Sequence, residues 1–115
     1  MGRIVNIASL AGIAPGGSSI AYAASKAGLI HPTRCLAVAL APDVSVNCIA
    51  PGLVEGTRLA ARVPEEMKQL ARAQTVLGRT GSAEDIAQMV VTYCRADSVT
   101  GQTVVVDGGS PIGMH

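Results

Sequence analysis

The 115-residue chain has few aromatic side chains and few charges. It contains no Trp, no Phe and only two Tyr, and 15% of its residues are charged, with a net charge of +1. Stacking on aromatic rings and neutralisation of phosphates are the main sources of affinity for nucleic acids. The composition therefore argues against nucleic-acid binding.

Cysteine and histidine are also scarce. The chain has three cysteines, an odd number, with no Cys-x-x-Cys pair: Cys35, Cys48 and Cys94. Its two histidines, His31 and His115, have no ligand-like neighbours in the sequence. We therefore predict neither a disulfide framework nor a metal site. The cysteines are interpreted as small buried apolar residues of a cytoplasmic protein.

Membrane segments and targeting signals are not evident either. The longest uncharged stretch, between Ile4 and Lys26, is interrupted by Pro15, Gly16 and Gly17, so no membrane span is predicted. The N-terminus resembles neither a secretory leader nor a myristoylation site. With 49% hydrophobic residues, the chain has enough apolar surface for one folded domain.

Apolar runs and turn-forming residues alternate along the chain. Short apolar runs predict three strands, at residues 3–8, 44–49 and 102–106. Helix-forming composition and capping signals predict three helices, at residues 19–41, from residue 64, and at residues 82–95. The segments between them predict a loop at 10–18, an irregular segment at 53–63 and a turn at 77–81. This alternation predicts an α/β fold with a three-stranded parallel sheet and flanking helices. The first strand is expected to be buried on both faces, with an exposed edge if no strand precedes it.

Tyr22 and Lys26 are the most informative pair. They are four residues apart on a predicted helix and so share one face. A nearby ammonium group favours the phenolate form of a tyrosine, which can then exchange a proton with a carbonyl or an alcohol. The same spacing also arises by chance, with the ring packed beside a lysine stem.

Two further features lie at the carboxyl ends of the predicted strands, where parallel sheets bind ligands. Ser9 follows the first strand, and its hydroxyl would bond either the same substrate oxygen as Tyr22 or the local backbone. Pro51 and Gly52 follow the second strand and either expose backbone to a flat ligand or form a simple turn.

Together these residues resemble the short-chain dehydrogenase/reductase family over residues 2–109. Tyr22 comes thirteen positions after Ser9 and four before Lys26, as is typical of that family. Four later segments complete the resemblance: residues 46–52, residues 78–81, residues 85–87, and residues 100–102 together with 106–109. The resemblance implies that residues 1–115 are the C-terminal half of one NAD(P)-binding Rossmann-type domain, with the last three of seven strands.

The resemblance also implies a reaction, NAD(P)-dependent hydride transfer between a ketone and a secondary alcohol. Ser9 would polarise the substrate oxygen, Tyr22 would pass the proton, and Lys26 would assist the tyrosine. The implied cofactor-binding residues are Tyr22, Lys26, Pro51, Gly52, Val54 and Thr57.

The sequence departs from the family at three points. Gly12, Gly16 and Gly17 lack the Gly-x-Gly-x-x-Gly spacing, so the phosphate-binding N-terminal half has no counterpart and the choice between NAD and NADP is not readable. The family's cofactor-contacting threonine would fall at Gly56, one position before Thr57. Pro32 lies inside the helix that carries Tyr22 and removes one backbone hydrogen bond, to Gly28, at a cost of about 3 kcal/mol unless a kink relieves it.

Two functional classes remain open. The first is an oxidoreductase acting on a small apolar carbonyl or alcohol, as a homodimer or homotetramer. The second is a truncated paralogue or non-catalytic fragment that packs against a full-length relative; an upstream coding sequence for the glycine-rich loop would instead indicate a misassigned start. The mostly aliphatic segments 10–20 and 54–73 would line an apolar pocket, although Arg58 and Arg62 leave room for an anionic substrate.

Overall fold

A computed structural model describes residues 1–111 of the chain. The elements in order are β1 (Gly2–Ile7), a 3-10 turn (Leu10–Gly12), α1 (Ile20–Leu40), β2 (Val44–Pro51), β3 (Val54–Glu55), α2 (Arg58–Ala61), α3 (Glu65–Ala73), β4 (Gly81–Ser82), α4 (Ala83–Arg95) and β5 (Thr103–Val106). β1, β2 and β5 form a parallel sheet with β2 in the centre, and β3 pairs with β4. The predicted α/β architecture with three parallel strands is confirmed.

Helices α1 and α4 cover opposite faces of the main sheet. Successive strand residues point to opposite faces. Asn6 donates from Nδ2 to Thr33 Oγ1 of α1 at 3.1 Å, whereas Arg3 donates to the Ala96 carbonyl at the end of α4 at 2.7 Å. Because the strands advance in one direction across the sheet, helices on opposite faces give crossovers of opposite hand, and one departs from the usual right-handed rule.

Strand β2 forms the centre of the core. Its residues from Ser45 to Ala50 are buried. Asn47 is a polar residue within this buried stretch. Its Nδ2 donates to the Val99 carbonyl at 3.0 Å, and its Oδ1 accepts from the Gln102 amide at 3.1 Å. Its buried amide is satisfied, and it fastens the connection between α4 and β5 to the central strand.

The predicted ends of α1 and α4 follow from their capping residues. Ser19 caps α1 by accepting a hydrogen bond from the Tyr22 amide at 3.0 Å. Ser82 and Asp85 form a capping box at α4, and the hydrogen bond from the Ser82 amide lowers the pKa of the Asp85 carboxyl. Helix α1 continues through Pro32, because the Gly28 carbonyl that loses its partner lies on the exposed side.

The prediction that the first strand is buried on both faces was wrong. Ile4 and Ile7 of β1 are 38% and 42% exposed. Within residues 1–111, β1 has a neighbour on one edge only, so its side chains are covered less completely than those of β2.

Two other expectations need correction. Cys35 and Cys94 are exposed, and only Cys48 is buried, because the first two lie on the solvent sides of α1 and α4. The segment predicted to be irregular, residues 53–63, contains β3 and α2. β3 forms because the chain pairs with β4, a contact too distant in sequence for local patterns to indicate.

In the described part of the chain, no helix is long and apolar enough to span a membrane. Residues 1–111 also contain no group of three or more His, Cys, Asp and Glu side chains suited to a metal ion. His31 is exposed, and His115 lies outside the described residues.

Asn47 provides a test of how the core is fastened. Asn47→Asp keeps the acceptor for Gln102 but turns a carboxylate oxygen toward the Val99 carbonyl in a buried site. We expect the free energy of unfolding to fall by about 3 kcal/mol. Urea unfolding would measure it, with Gln102→Glu, an exposed amide-to-carboxylate change, as the control; equal losses in both variants would contradict this account.

Candidate active site

The candidate site is a cleft of about 500 Å³ at the carboxyl edge of the main sheet. Ser9, Tyr22 and Gly52 all line it. Ser9 follows β1, Gly52 follows β2 and Tyr22 lies in the first turn of α1. The parallel pairing of β1 and β2, with Ile7 opposite Ile49, places the two strand ends on the same edge. The structure therefore brings these three predicted residues together.

The Ser9 hydroxyl has one polar contact among the described residues. Its Oγ accepts a hydrogen bond from the Ala11 amide at 3.2 Å and so caps the 3-10 turn. A hydroxyl that accepts this bond still has its own proton to donate. The local structural role and a donor role toward a substrate oxygen are therefore compatible.

Tyr22 and Lys26 are neighbours on α1, but within residues 1–111 the Lys26 ammonium makes no hydrogen bond to the Tyr22 hydroxyl. The Lys26 Nζ lies over the Tyr22 ring, 5.7 Å from its centroid. It donates a hydrogen bond to the Ile7 carbonyl at 3.3 Å. The positive charge is thus held between the end of β1 and the face of the aromatic ring.

Close backbone approach shapes the cleft at two glycines. Gly17 has a φ of +90°, and a Cβ there would lie 2.9 Å from the Ala11 Cβ and 3.2 Å from Tyr22 Cδ1. A Cβ on Gly52 would lie 2.8 Å from the Cβ of Asp107. Both positions need glycine, so the Gly17 backbone packs directly against the Tyr22 ring.

The other predicted cofactor-binding residues lie beside the cleft. Among the described residues, Lys26, Pro51, Val54 and Thr57 are not part of its lining. Thr57 instead caps α2, donating to the Val54 carbonyl at 2.8 Å and accepting from the Ala60 amide at 3.1 Å. The positive φ of Gly56 turns the chain just before this cap.

The remaining wall of the cleft is apolar. The residues that supply it come from the two segments predicted to do so, together with Leu53, and include Leu10, Ala11, Ala14, Leu59, Val63 and Met67. Arg58 and Arg62 are exposed and do not line it. The described lining contains no Asp, Glu, Lys, Arg or His, so it favours a neutral apolar ligand.

A charged cluster lies next to this wall. Arg72 of α3 donates from Nε to both carboxylate oxygens of Glu55, at 3.0 and 2.9 Å, and also from Nη2 to Oε1. Thr80 donates to Glu55 Oε2 at 2.7 Å. The hydrogen bonds from Arg72, and then that from Thr80, lower the pKa of Glu55 to about 2.

Comparisons with known proteins agree on one family. The sequence model described as "Enoyl-(Acyl carrier protein) reductase" matches residues 1–111. The chain is 38% identical over 111 residues to the short-chain dehydrogenase/reductase homolog YusR of Bacillus subtilis, covering 96% of this chain and 84% of that protein. The chain belongs to the short-chain dehydrogenase/reductase family. The family resemblance predicted from the sequence is confirmed.

Other members of the family are considerably longer. The chain is 44% identical over 111 residues to the 3-oxoacyl-(acyl-carrier-protein) reductase FabG of Aquifex aeolicus, covering 94% of this chain and 44% of that protein. A 3-oxoacyl-(acyl-carrier protein) reductase structure with bound NAD, from Brucella melitensis, is 34% identical with a TM-score of 0.82, covering 95% of this chain and 40% of that one. The chain thus spans less than half the length of these two short-chain dehydrogenase/reductases.

Sequence patterns did not reveal the cluster of Glu55, Arg72 and Thr80. Glu55 and Arg72 are 17 residues apart, and Glu55 and Thr80 are 25 apart. No helical or strand periodicity links such positions. Only the α3 fold-back and the pairing of β3 with β4 bring them together.

Acidification tests this cluster. The pKa of Glu55 is about 2 in the folded chain, below its ordinary value of 4.5. The contribution of the pair to the free energy of unfolding is therefore complete well above pH 4.5 and is lost as the pH falls from about 4.5 to about 2. Urea unfolding of the wild type and Glu55→Gln should show a difference that narrows over this interval; a constant difference down to pH 2 would contradict it.

Proposed function

We propose that this chain supplies the substrate-binding and proton-transferring side of an NAD(P)-dependent oxidoreductase that interconverts a small apolar ketone and a secondary alcohol. The observation that carries the proposal is the shared cleft of Ser9, Tyr22 and Gly52, with the Lys26 ammonium over the Tyr22 ring. Membership of an oxidoreductase family, and the names of its reductase relatives, support the reaction class.

The donor set fits the nicotinamide end of a dinucleotide. Lys26 and Tyr22 would offer an ammonium and a hydroxyl to the ribose, and the Gly52 backbone, which lines the cleft, would lie beside the flat ring. When bound, the nicotinamide supplies or accepts the hydride. The NAD seen in the Brucella melitensis reductase agrees with this assignment. The choice between NAD and NADP, and the contributions of Pro51, Val54 and Thr57, stay predictions.

The protein side chains handle the proton and the substrate oxygen. Ser9 donates its free hydroxyl proton to the carbonyl oxygen and polarises it. Tyr22 gives its phenolic proton to the same oxygen as the alcohol forms and takes it back in the reverse direction. Lys26 stabilises the negative charge left on Tyr22. The apolar lining excludes water and binds the hydrocarbon part of the substrate.

A second candidate function rests on the outer surfaces of the chain. The free edge of β1 within residues 1–111, and apolar side chains such as Ile20 and Val38 of α1, 90% and 82% exposed, favour association with another chain. In this alternative the chain is a non-catalytic partner of a full-length relative. In the first, the same surfaces form a homo-oligomer. A cytoplasmic location stays a prediction for both.

The first experiment is a titration of the purified 115-residue chain with NADH and NADPH, with ketone reduction measured in parallel. We expect saturable binding of one of the two and turnover of small apolar ketones. Binding of neither by a folded chain that reduces no ketone, together with co-purification of a longer relative, would favour the partner function.

The catalytic role of Tyr22 has a matched control. Tyr22→Phe removes the transferable proton and should lower kcat by about 100-fold or more, with little change in NADH affinity. Tyr93→Phe changes the other tyrosine, which is buried on α4 away from the cleft, and should leave kcat near its wild-type value. Equal activity of Tyr22→Phe and the wild type would exclude the mechanism.

A further inference from the structure

Helix α3 forms part of the apolar wall, yet none of its residues is buried. Met67 lines the cleft but is 60% exposed, and Leu70 is 59% exposed. Burial of apolar surface therefore contributes little to holding α3 in place. The half-buried residues of α3 are Lys68, Ala71 and Arg72, and they mark the side of the helix that faces the rest of the chain. On this side, Arg72 makes the side-chain hydrogen bonds.

The Glu55 carboxylate, which accepts the hydrogen bonds from Arg72, is fixed by contacts outside α3. Glu55 belongs to β3, whose backbone pairs with β4 so that Glu55 lies opposite Ser82. Thr80, just before β4, donates its hydroxyl to the Glu55 carboxylate. The carboxylate is thus held through its own backbone and through a neighbouring hydroxyl, independently of α3.

The geometry also requires an arginine at position 72. Its planar guanidinium donates through two nitrogens to Glu55, and Nη2 also lies 3.3 Å from Glu65 Oε1 at the start of α3. A lysine carries the same charge at a single nitrogen and cannot form the paired bonds. The low pKa of Glu55 keeps this contact charged at neutral pH.

We propose that Glu55, Arg72 and Thr80 form a positioning clamp that holds α3 beside the cleft and thereby sets where Met67 lies relative to Tyr22. Met67 is the residue whose position the clamp sets, because it is the α3 side chain that lines the cleft. The consequence for substrate rests on the proposed function. The clamp itself is a property of the fold and is tested without turnover.

Amide hydrogen exchange on the 115-residue chain tests the clamp. Arg72→Met should raise exchange in residues 65–73 by roughly threefold to tenfold, with β2 and α4 unchanged. Arg72→Lys should show a smaller increase. Gln69→Met places the same new side chain at an exposed, uncharged α3 position outside the cluster and should change exchange by less than about twofold.

A charge exchange separates a specific clamp from general damage to the fold. Glu55→Arg alone should raise exchange in α3, and the double variant Glu55→Arg with Arg72→Glu should restore at least part of the protection. Unchanged α3 exchange in Arg72→Met, or no restoration in the double variant, would overturn the clamp. Loss of protection throughout β2 would also overturn it, because the cluster would then support the whole fold.

The link to the substrate is tested with a neutral aryl ketone, 2-acetonaphthone, by saturation-transfer NMR. We expect weaker binding to Arg72→Met, by about threefold or more, and unchanged binding to Gln69→Met. Equal affinity in Arg72→Met despite faster α3 exchange would overturn the positioning role. A wild-type chain that binds no ketone, while Arg72→Met still loosens α3, would count against the proposed function and leave the clamp supported.

Discussion

The parallel pairing of β1 with β2 is the constraint on which the candidate site depends. Because α1 and α4 cover opposite faces of β2, a slip of one residue would exchange the side chains that pack against α1 with those that pack against α4. The correct register carries the ends of both strands to one edge. Ser9 and Gly52 therefore meet there, and α1 returns across the sheet to bring Tyr22 to the same cleft.

Several polar and charged side chains lie at the junctions between elements. Asn47 joins β2 to the segment before β5, and Asn6 joins β1 to Thr33 of α1. Arg3 joins β1 to the end of α4, where it also pairs with Asp97. Apolar burial drives the sheet and helices together, but it is not directional. Hydrogen bonds at these junctions select one arrangement among those that bury similar area.

Local patterns in the sequence predicted much of the fold. Ser82 with Asp85 marked the start of α4, Pro64 marked the start of α3, and the four-residue spacing of Tyr22 and Lys26 placed both on one side of α1. Such signals depend on residues that are close in sequence, so they can be recognised without the tertiary structure. Burial was predicted less well: Cys35 and Cys94 have apolar character but lie on solvent-facing sides, and only the packed helix orientation shows this.

By itself the sequence determined the order of the three main strands and of α1, α3 and α4, the caps of α1 and α4, and the family, because each depends on residue type and short-range spacing. The tertiary structure decided which side chains share the cleft, that Lys26 lies over the Tyr22 ring, and that Glu55 meets Arg72 and Thr80. Some of these contacts join residues that chain reversal and strand pairing bring together. Others depend on the side-chain rotamers that packing selects. Local periodicity carries no information about either, since the same residues with a different strand register or a different position of α3 would have the same sequence pattern.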